Sequence, residues 1–313
     1  MIFDEAIKQM GEKVERMYEN ISDEQRARAA EIRIRAGYPP SLTLDSGETV
    51  TFGVENVTPE QVDDAFVNLC GHSVYSHEKE LSEGFVTVKG GHRAGFGGRA
   101  VYDGNRLATI RDISSVNLRI ARQVVGCSDL IRRKAFEKGV CGLLLVGAPS
   151  SGKTTVLRDI ARALSESGHR VTVCDERGEI AAVWGHTPQF RLGRCCDVLT
   201  GFEKRDAVIR AVRCLSPQTV ICDELGNGDD AAALCEAVNA GVNVIASVHA
   251  SDEKELLKRP QCLKILETGA FEKVVFLSGK HDEDKKIKIR NTGELFEDSC
   301  GADIDILRLF DGS

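Results

Sequence analysis

The run Gly147-Ala148-Pro149-Ser150-Ser151-Gly152-Lys153-Thr154 constrains this chain more than any other stretch. It has the form G-x-x-x-x-G-K-T, which gains physical meaning only between a strand and a helix. Gly-Leu-Leu-Leu-Val over 142–146 reads as a short buried strand. Thr155–Leu164 spaces its apolar residues as a helix does. Gly147 and Gly152 let the backbone turn tightly, so that consecutive N–H groups point at phosphate oxygens. The helix N-terminus adds its partial positive charge. Lys153 is placed to reach the β- and γ-phosphates of a nucleotide, and the Thr154 hydroxyl to hold Mg²⁺. The expected nucleotide-binding set is Gly147 through Thr155.

Two further strand ends carry acids. Thr219-Val-Ile-Cys222 is apolar and closes in Asp223-Glu224. Asp223 is placed to hold Mg²⁺, directly or through water, and Glu224 to orient or deprotonate an attacking water. The plainer reading, acids that cap the next helix, is weaker beside the loop upstream. Arg170-Val-Thr-Val-Cys174 ends in Asp175-Glu-Arg-Gly-Glu179, so Glu176 or Glu179 is a second candidate for positioning water. His249 follows the strand over 242–248, where a side chain can sense a γ-phosphate. A lone histidine is as often structural.

Composition bounds the rest. The chain has 313 residues, enough for two domains with separate cores. It is 42% hydrophobic and 28% charged, as soluble globular proteins are. A net charge of −7 argues against a general nucleic-acid binder. The N-terminus carries early acids and does not read as a secretory signal. No uncharged apolar run approaches the ~20 residues of a membrane span. The eleven cysteines are odd in number, and several fall in predicted buried elements: Cys141, Cys174, Cys222 and Cys235. That points to a reducing cytoplasm rather than a disulfide framework. Cys195-Cys196 is too few ligands for zinc, and Cys70-x-His72 with His77 reads as a helix end and polar loop. No metal other than Mg²⁺ is expected.

In chain order, residues 1–30 are mostly helical by period. Strands are expected over 31–35, 41–44 and 48–52, the last two around an Asp45-Ser-Gly47 turn. Thr58-Pro59-Glu60-Gln61 starts a helix by three agreeing signals, and Gly71 stops it. The glycine-dense run over 84–101 predicts a strand pair with a turn and bulges, able to present Arg93 or Arg99. Arg119 and Arg122 lie in the basic stretch that leads to the domain boundary. The expected domains are an α+β unit over 1–125 and an α/β unit over 126–313. Strands alternating with helices in the second imply a mainly parallel sheet, with the ligand at its carboxyl ends. A helix is expected over 204–215 with Val208, Val212 and Leu215 on one face. An edge strand is expected over 272–277, and a solvated turn over 281–286.

The order of these motifs, Gly-Lys-Thr-Thr, then Leu215-Ser-Pro-x-x-Val-Ile-Cys-Asp-Glu224, then Ala-Ser-Val-His249, resembles the secretion ATPases of the type II/type IV superfamily. Glu-Ile-Arg-Ile-Arg, Gly-Gly-His-Arg-Ala-Gly and Asp-Glu-Arg-Gly-Glu-Ile-Ala are closer still to a sporulation member of it. The resemblance runs over about 30–260. It implies a RecA-like P-loop core behind a smaller α+β domain, and a Mg²⁺-dependent ATPase, hexameric and cytoplasmic. It also implies membrane-embedded channel subunits as partners, between mother cell and forespore and on the mother-cell side. In that superfamily the nucleotide lies between two domains, and arginines of the N-terminal domain or a neighbour reach the phosphates. Arg93, Arg99, Arg119 and Arg122 match that role. Asp223 departs from the glycine that many members have there, which leaves direct metal contact open.

Two other classes share the core. An ATP-binding assembly factor has no need of a water-positioning carboxylate, so the Asp223-Glu224 pair weighs against it. A RecA-like nucleic-acid motor calls for a basic channel with stacking aromatics, whereas this chain is acidic and 5% aromatic.

Overall fold

Apolar and charged residues alternate over Glu31–Arg35, so that strand buries one face and leaves a charged one. The first unit is built on it. In the computed structural model, which describes residues 2–53, 55–82, 84–226, 228–278 and 287–300, the chain divides into two units. The first holds residues 1–123 together with 182–190, and the second holds 124–181 and 191–313. The expected break at 125/126 put everything after it into the second unit. The structure corrects this, because the hairpin within 182–190 packs with the first.

The first unit opens with helices α1 (Ile2–Lys8), α2 (Glu12–Met17) and α3 (Asp23–Arg28). Strands β1 (Ala29–Arg35), β2 (Ser41–Leu44) and β3 (Thr49–Thr51) follow. Helix α4 (Pro59–Leu69) starts as its sequence predicts. Thr58 Oγ1 accepts from the Gln61 N–H, the Gln61 side chain accepts from the Thr58 N–H, and Pro59 occupies the first turn. After α5 (Glu78–Ser82) come β4 (Phe85–Val88), β5 (His92–Asp103) and β6 (Arg106–Arg119). The sheet is antiparallel in the order β3-β2-β1-β6-β5-β4. The β4–β5 pair turns at Gly90-Gly91, and β5 bulges at Gly97/Arg99 and Val101/Tyr102, the strand pair expected of the glycine-dense run. Phe3, Ile7, Met10, Val14 and Tyr18 pack on Ile32, Ile34, Leu42, Ala94 and Leu118 as one core.

The second unit runs through α6 (Asp129–Ala135), β7 (Leu143–Val146), α7 (Lys153–Glu166) and β8 (Val171–Asp175). The paired strands β9 (Val183–Trp184) and β10 (Thr187–Pro188) then lie in the first unit. The second unit resumes with β11 (Cys196–Thr200), α8 (Lys204–Arg210), β12 (Thr219–Glu224), α9 (Gly228–Asn239) and β13 (Asn243–Val248). It continues with α10 (Glu253–Lys258), α11 (Pro260–Glu267), β14 (Lys273–Leu277), β15 (Ile287–Asn291) and α12 (Thr292–Cys300). The sheet order is β11-β8-β12-β13-β7-β14-β15, parallel except for the last pair.

Three expectations change here. β14 is not an edge strand: it pairs with β7 on one side and β15 on the other, and four of its five residues are buried on both faces. The helix over 204–215 widens to a π-helix at Ala211–Leu215, so Ala207, Val208 and Ala211 are buried while Val212 and Leu215 are only half-buried. Cys235 is exposed on α9 rather than buried. The turn expected over 281–286 lies outside the described residues.

One buried polar group makes the first unit sensitive to acid. His92 is fully buried, and its Nδ1 accepts the Ala121 N–H at 3.0 Å. Burial pulls its pKa down to about 4, against a small opposing pull from Glu5. A proton on Nδ1 would also confront the N–H it now accepts. The folded pKa lies below the ordinary one, so stability is complete above about pH 6.5 and is lost as pH falls toward 4. Urea unfolding is expected to find the chain about 2 kcal/mol less stable at pH 5 than at pH 7.5 on this account. His92→Gln should lose that share of the slope. An unchanged slope in the variant would place the acid sensitivity elsewhere.

Candidate functional site

All four residues of β7 are fully buried, and the chain turns sharply at its end. A Cβ on Gly147 would stand 2.4 Å from Ser151 Oγ and 3.2 Å from the Leu277 carbonyl oxygen, so only glycine fits there. Ser150 (φ 62°) and Gly152 (φ 95°) take left-handed conformations, which arch the loop before α7 begins at Lys153. Helix α7 therefore starts with a first turn of N–H groups that have no intrahelical acceptor. Ser151 Oγ is buried without a hydrogen-bond partner among the described residues. These are the features of a phosphate cradle.

Lys153 is only 6% exposed. Its ammonium donates to the Gly147 carbonyl at 2.7 Å, to the Ala148 carbonyl at 3.0 Å and to His249 Nδ1 at 2.9 Å. Burial lowers its pKa, and the charges of Glu224 and Asp223 oppose that shift. An ammonium can only donate, so Nδ1 of His249 is the acceptor and its Nε2 carries the proton. Nε2 lies 2.7 Å from Glu224 Oε2. Lys153, His249 and Glu224 thus form one hydrogen-bonded chain, and His249 is held in a single tautomer within it.

The remaining acids divide by task. Strands β8 and β12 pair in parallel with Cys174 opposite Cys222, which brings Asp175 and Asp223 to the same end of neighbouring strands. Asp175 is fully buried and turned into its own loop. Its carboxylate accepts the N–H groups of Glu179, Ile180 and Ala181 at 2.8–3.2 Å. Burial raises its pKa, and those three N–H groups restrain the rise. The half-buried Asp223 is pushed up to about 6 by burial first, and then by the charges of Glu179 and Asp175. Glu179 therefore acts electrostatically on Asp223. Glu176 is exposed and lies 3.8 Å from Lys204 Nζ, which also donates to the Glu224 carbonyl. The acids are short of positive charge, and a hard divalent cation with oxygen ligands suits that deficit. Asp223 and the partly exposed Thr154 are the residues present that would hold it.

The four arginine candidates lie in the first unit and separate clearly. Arg122 donates to the carbonyls of Ala27 and Ala29, a structural task. Arg99 pairs with Asp112 at 2.6 Å on an exposed ribbon. Arg93 and Arg119 are register partners on the sheet face opposite the core. Arg93 stacks 3.7 Å over the Phe85 ring, and Arg119 lies 3.2 Å from Glu31. Beside them is a pocket of about 290 Å³ bounded by Gly95, Gly97, Asn117, Arg33 and Arg35.

Sequence reasoning missed Arg158 and Lys204. Arg158 is buried on α7 and donates to the carbonyls of Ile180 and Glu179 at 2.8 and 2.6 Å. Burial lowers its pKa to about 10, with the charge of Asp175 foremost in opposition. Nearby, Asp159 accepts from Gly126, Ser128 and Arg162. Burial would raise its carboxyl, but these donors bring it down to about 2. For Arg158 the available signal was three charged residues, Arg158, Asp159 and Arg162, set among the apolar positions of the middle of one helix. Helix α7 is buried nearly all round, so those charges had to be paired. Among the described residues, no group of three or more His, Cys, Asp or Glu is placed to hold a metal by itself, and no helix is long and apolar enough to cross a membrane.

A family model described as "Sporulation stage III, protein AA" matches residues 4–293. The stage III sporulation protein AA of Bacillus subtilis (strain 168) is 35% identical over 288 residues, which cover 87% of this chain and 93% of that one. Among solved structures, the ATPase DotB of Legionella pneumophila matches with a TM-score of 0.55 at 16% identity, over 88% of this chain and 83% of that chain. The pilus retraction motor PilT with bound ADP matches with a TM-score of 0.56 at 19% identity, over 90% and 86%. At these identities the two structures speak for the fold.

Asp175→Ala leaves three backbone N–H groups, two of them buried, without their acceptor. The expected cost is about 2–4 kcal/mol, read from the urea midpoint, with Asp175→Asn recovering part of it. A loss below about 1 kcal/mol would mean that the 176–181 loop is held by other contacts.

Proposed function

We propose that this chain, which belongs to the stage III sporulation protein AA family, is a Mg²⁺-dependent ATPase of RecA-like architecture that drives a membrane channel or secretion complex during sporulation. The observation that carries the reading is the hydrogen-bonded chain from buried Lys153 through His249 to Glu224, at the mouth of a glycine-rich loop. A strand order in which β7 lies between β13 and β14 supports the RecA-like assignment. So does the fold likeness to DotB and PilT.

In this reading ATP is the substrate and Gly147–Thr155 hold its phosphates. Lys153 leaves the Gly147 and Ala148 carbonyls and turns its ammonium to the β- and γ-phosphates. Loop and first-turn N–H groups take the remaining oxygens. Thr154 and Asp223 would hold Mg²⁺, which supplies charge neutralisation on the phosphates when bound. Glu224 orients the attacking water and accepts its proton, while His249 Nε2–H fixes the carboxylate. Glu179 supports Asp223, and Glu176 lies farther out with Lys204. Arg93 and Arg119 are the better candidates to reach the phosphates of a neighbouring subunit in a homo-hexamer. The proposed setting is the cytoplasmic face of the mother-cell membrane, reached through membrane-embedded partners.

Purified protein is expected to hydrolyse ATP in the presence of Mg²⁺. Lys153→Ala should lose nucleotide binding. Glu224→Gln should keep binding and lose turnover by about 10²–10³-fold. If Glu224→Gln turns over at the wild-type rate, the assignment of the water-positioning base is wrong. If the wild type binds ATP and changes its sedimentation without any turnover, the chain is an assembly factor instead.

A further inference from the structure

The chain passes between its two units three times: at 123/124, at 181/182 and at 190/191. The first crossing is the ordinary one between consecutive domains. The other two belong to nine residues, Ala182–Phe190, inserted between β8 and β11 of the second unit's sheet and clustered with the first unit.

Both ends of this insertion are fastened to α7. Before it, Asp175 accepts the N–H groups of residues 179–181, and Arg158 of α7 donates to the Glu179 and Ile180 carbonyls. After it, Arg191 pairs with Glu166 of α7 at 2.7 Å. Gly193 then lies so close to α7 that a Cβ would stand 2.6 Å from Ser165 Oγ, and that same oxygen accepts the Cys195 N–H at 2.7 Å. Ala182, the first residue across, has φ 47°, a left-handed conformation that alanine seldom takes. The departure point is therefore held by its surroundings rather than by local preference.

The far side is seated as firmly. Gln189 Oε1 accepts the Gly90 N–H at 2.8 Å. A Cβ on Gly91 would stand 3.1 Å from both Ala182 Cβ and the buried Phe190 ring, so the β4–β5 turn receives the insertion only because it is glycine.

We propose that Ala182–Phe190 is a strap that carries the nucleotide state of α7 into the first unit at the Gly90-Gly91 turn. This rests on the reading of Gly147–Thr155 as the nucleotide site. Helix α7 starts at Lys153, so a phosphate that reorganises its first turn moves the helix on which both strap ends are fastened. A shift of α7 then reaches β4 and β5 through covalent chain and one seated turn.

Amide hydrogen exchange on the full chain, with Mg²⁺ and with or without a non-hydrolysable ATP analogue, tests this. The analogue is expected to change exchange at 147–158, at 182–190 and at the Gly90-Gly91 turn together. In Gln189→Ala, which removes one half-exposed partner, and in Gly91→Ala, which crowds the seat, the response at 147–158 should persist and that at the turn should be lost. A response at 147–158 with none at 182–190 or the turn would overturn the strap and leave the nucleotide site standing. No response at 147–158 would overturn both. Should Gly91→Ala fail to fold, Gln189→Ala decides alone, and a turn that still responds as in the wild type rules out this route.

Discussion

A positive charge placed beyond the reach of water governs the second unit. The ammonium of Lys153 has no acceptor capacity and almost no solvent, so protein oxygens and nitrogens must surround it. The loop supplies two carbonyls, and that is possible only because Gly147 has no side chain and Gly152 turns left-handed. His249 supplies the third acceptor, which settles its tautomer and aims its other nitrogen at Glu224. Loop shape, histidine orientation and carboxylate orientation follow from satisfying one buried cation. Its resting partners are neutral oxygens and a neutral ring. A phosphate group, as a charged acceptor, competes with them on favourable terms.

The sheet decides what else that cation meets. Parallel pairing of β8, β12 and β13 brings Asp175, Asp223-Glu224 and His249 to one edge. Carboxylates so close together cannot all stay ionised cheaply. The fold answers by giving them different environments. Asp175 is absorbed by three backbone N–H groups and holds a loop. Glu224 faces His249, and burial with the charges of Glu179 and Asp175 pushes the pKa of Asp223 up to about 6. Acids of one type in one cluster thus differ: one clamps a loop, one is oriented by a histidine, and one has its pKa raised by burial and its neighbours.

Much of this was legible from local chemistry. The strand–loop–helix around Gly147–Thr154, the capping box at Thr58 and Gln61, and the glycine turn at 90–91 each depend on residues a few positions apart, so the signal lies in one window. What was missed depends on pairing across the chain. β14 read as an edge strand because nothing in Lys-Val-Val-Phe-Leu tells that β15 will cover its outer side. β11 carries too many exposed positions to stand out. Glu176 and Glu179 drew attention for the same reason that Asp223-Glu224 did: both acidic runs end apolar strands. Only the backbone that follows, folded back through residues 179–181, separates their tasks. The arginines could not be ranked for want of register, and pairing Arg93 with Arg119 across β5 and β6 is what sets them apart from Arg99 and Arg122.

The charge balance bears on how the proposed ATPase has to work. Asp175, Glu176, Glu179, Asp223 and Glu224 stand against Lys153, Arg158 and Lys204, and Arg158 is already committed to backbone carbonyls. Bringing a polyphosphate to such a cluster adds like charge to like charge, and one lysine does not offset it. A divalent ion between Asp223 and the phosphates supplies part of the deficit. The first unit carries Arg33, Arg35, Arg93 and Arg119 on one sheet face, with Arg33 and Arg119 paired to Glu31 and Arg93 stacked on Phe85. In the proposed homo-hexamer an arginine-bearing surface of a neighbouring subunit would supply the remainder, and hydrolysis would then depend on assembly.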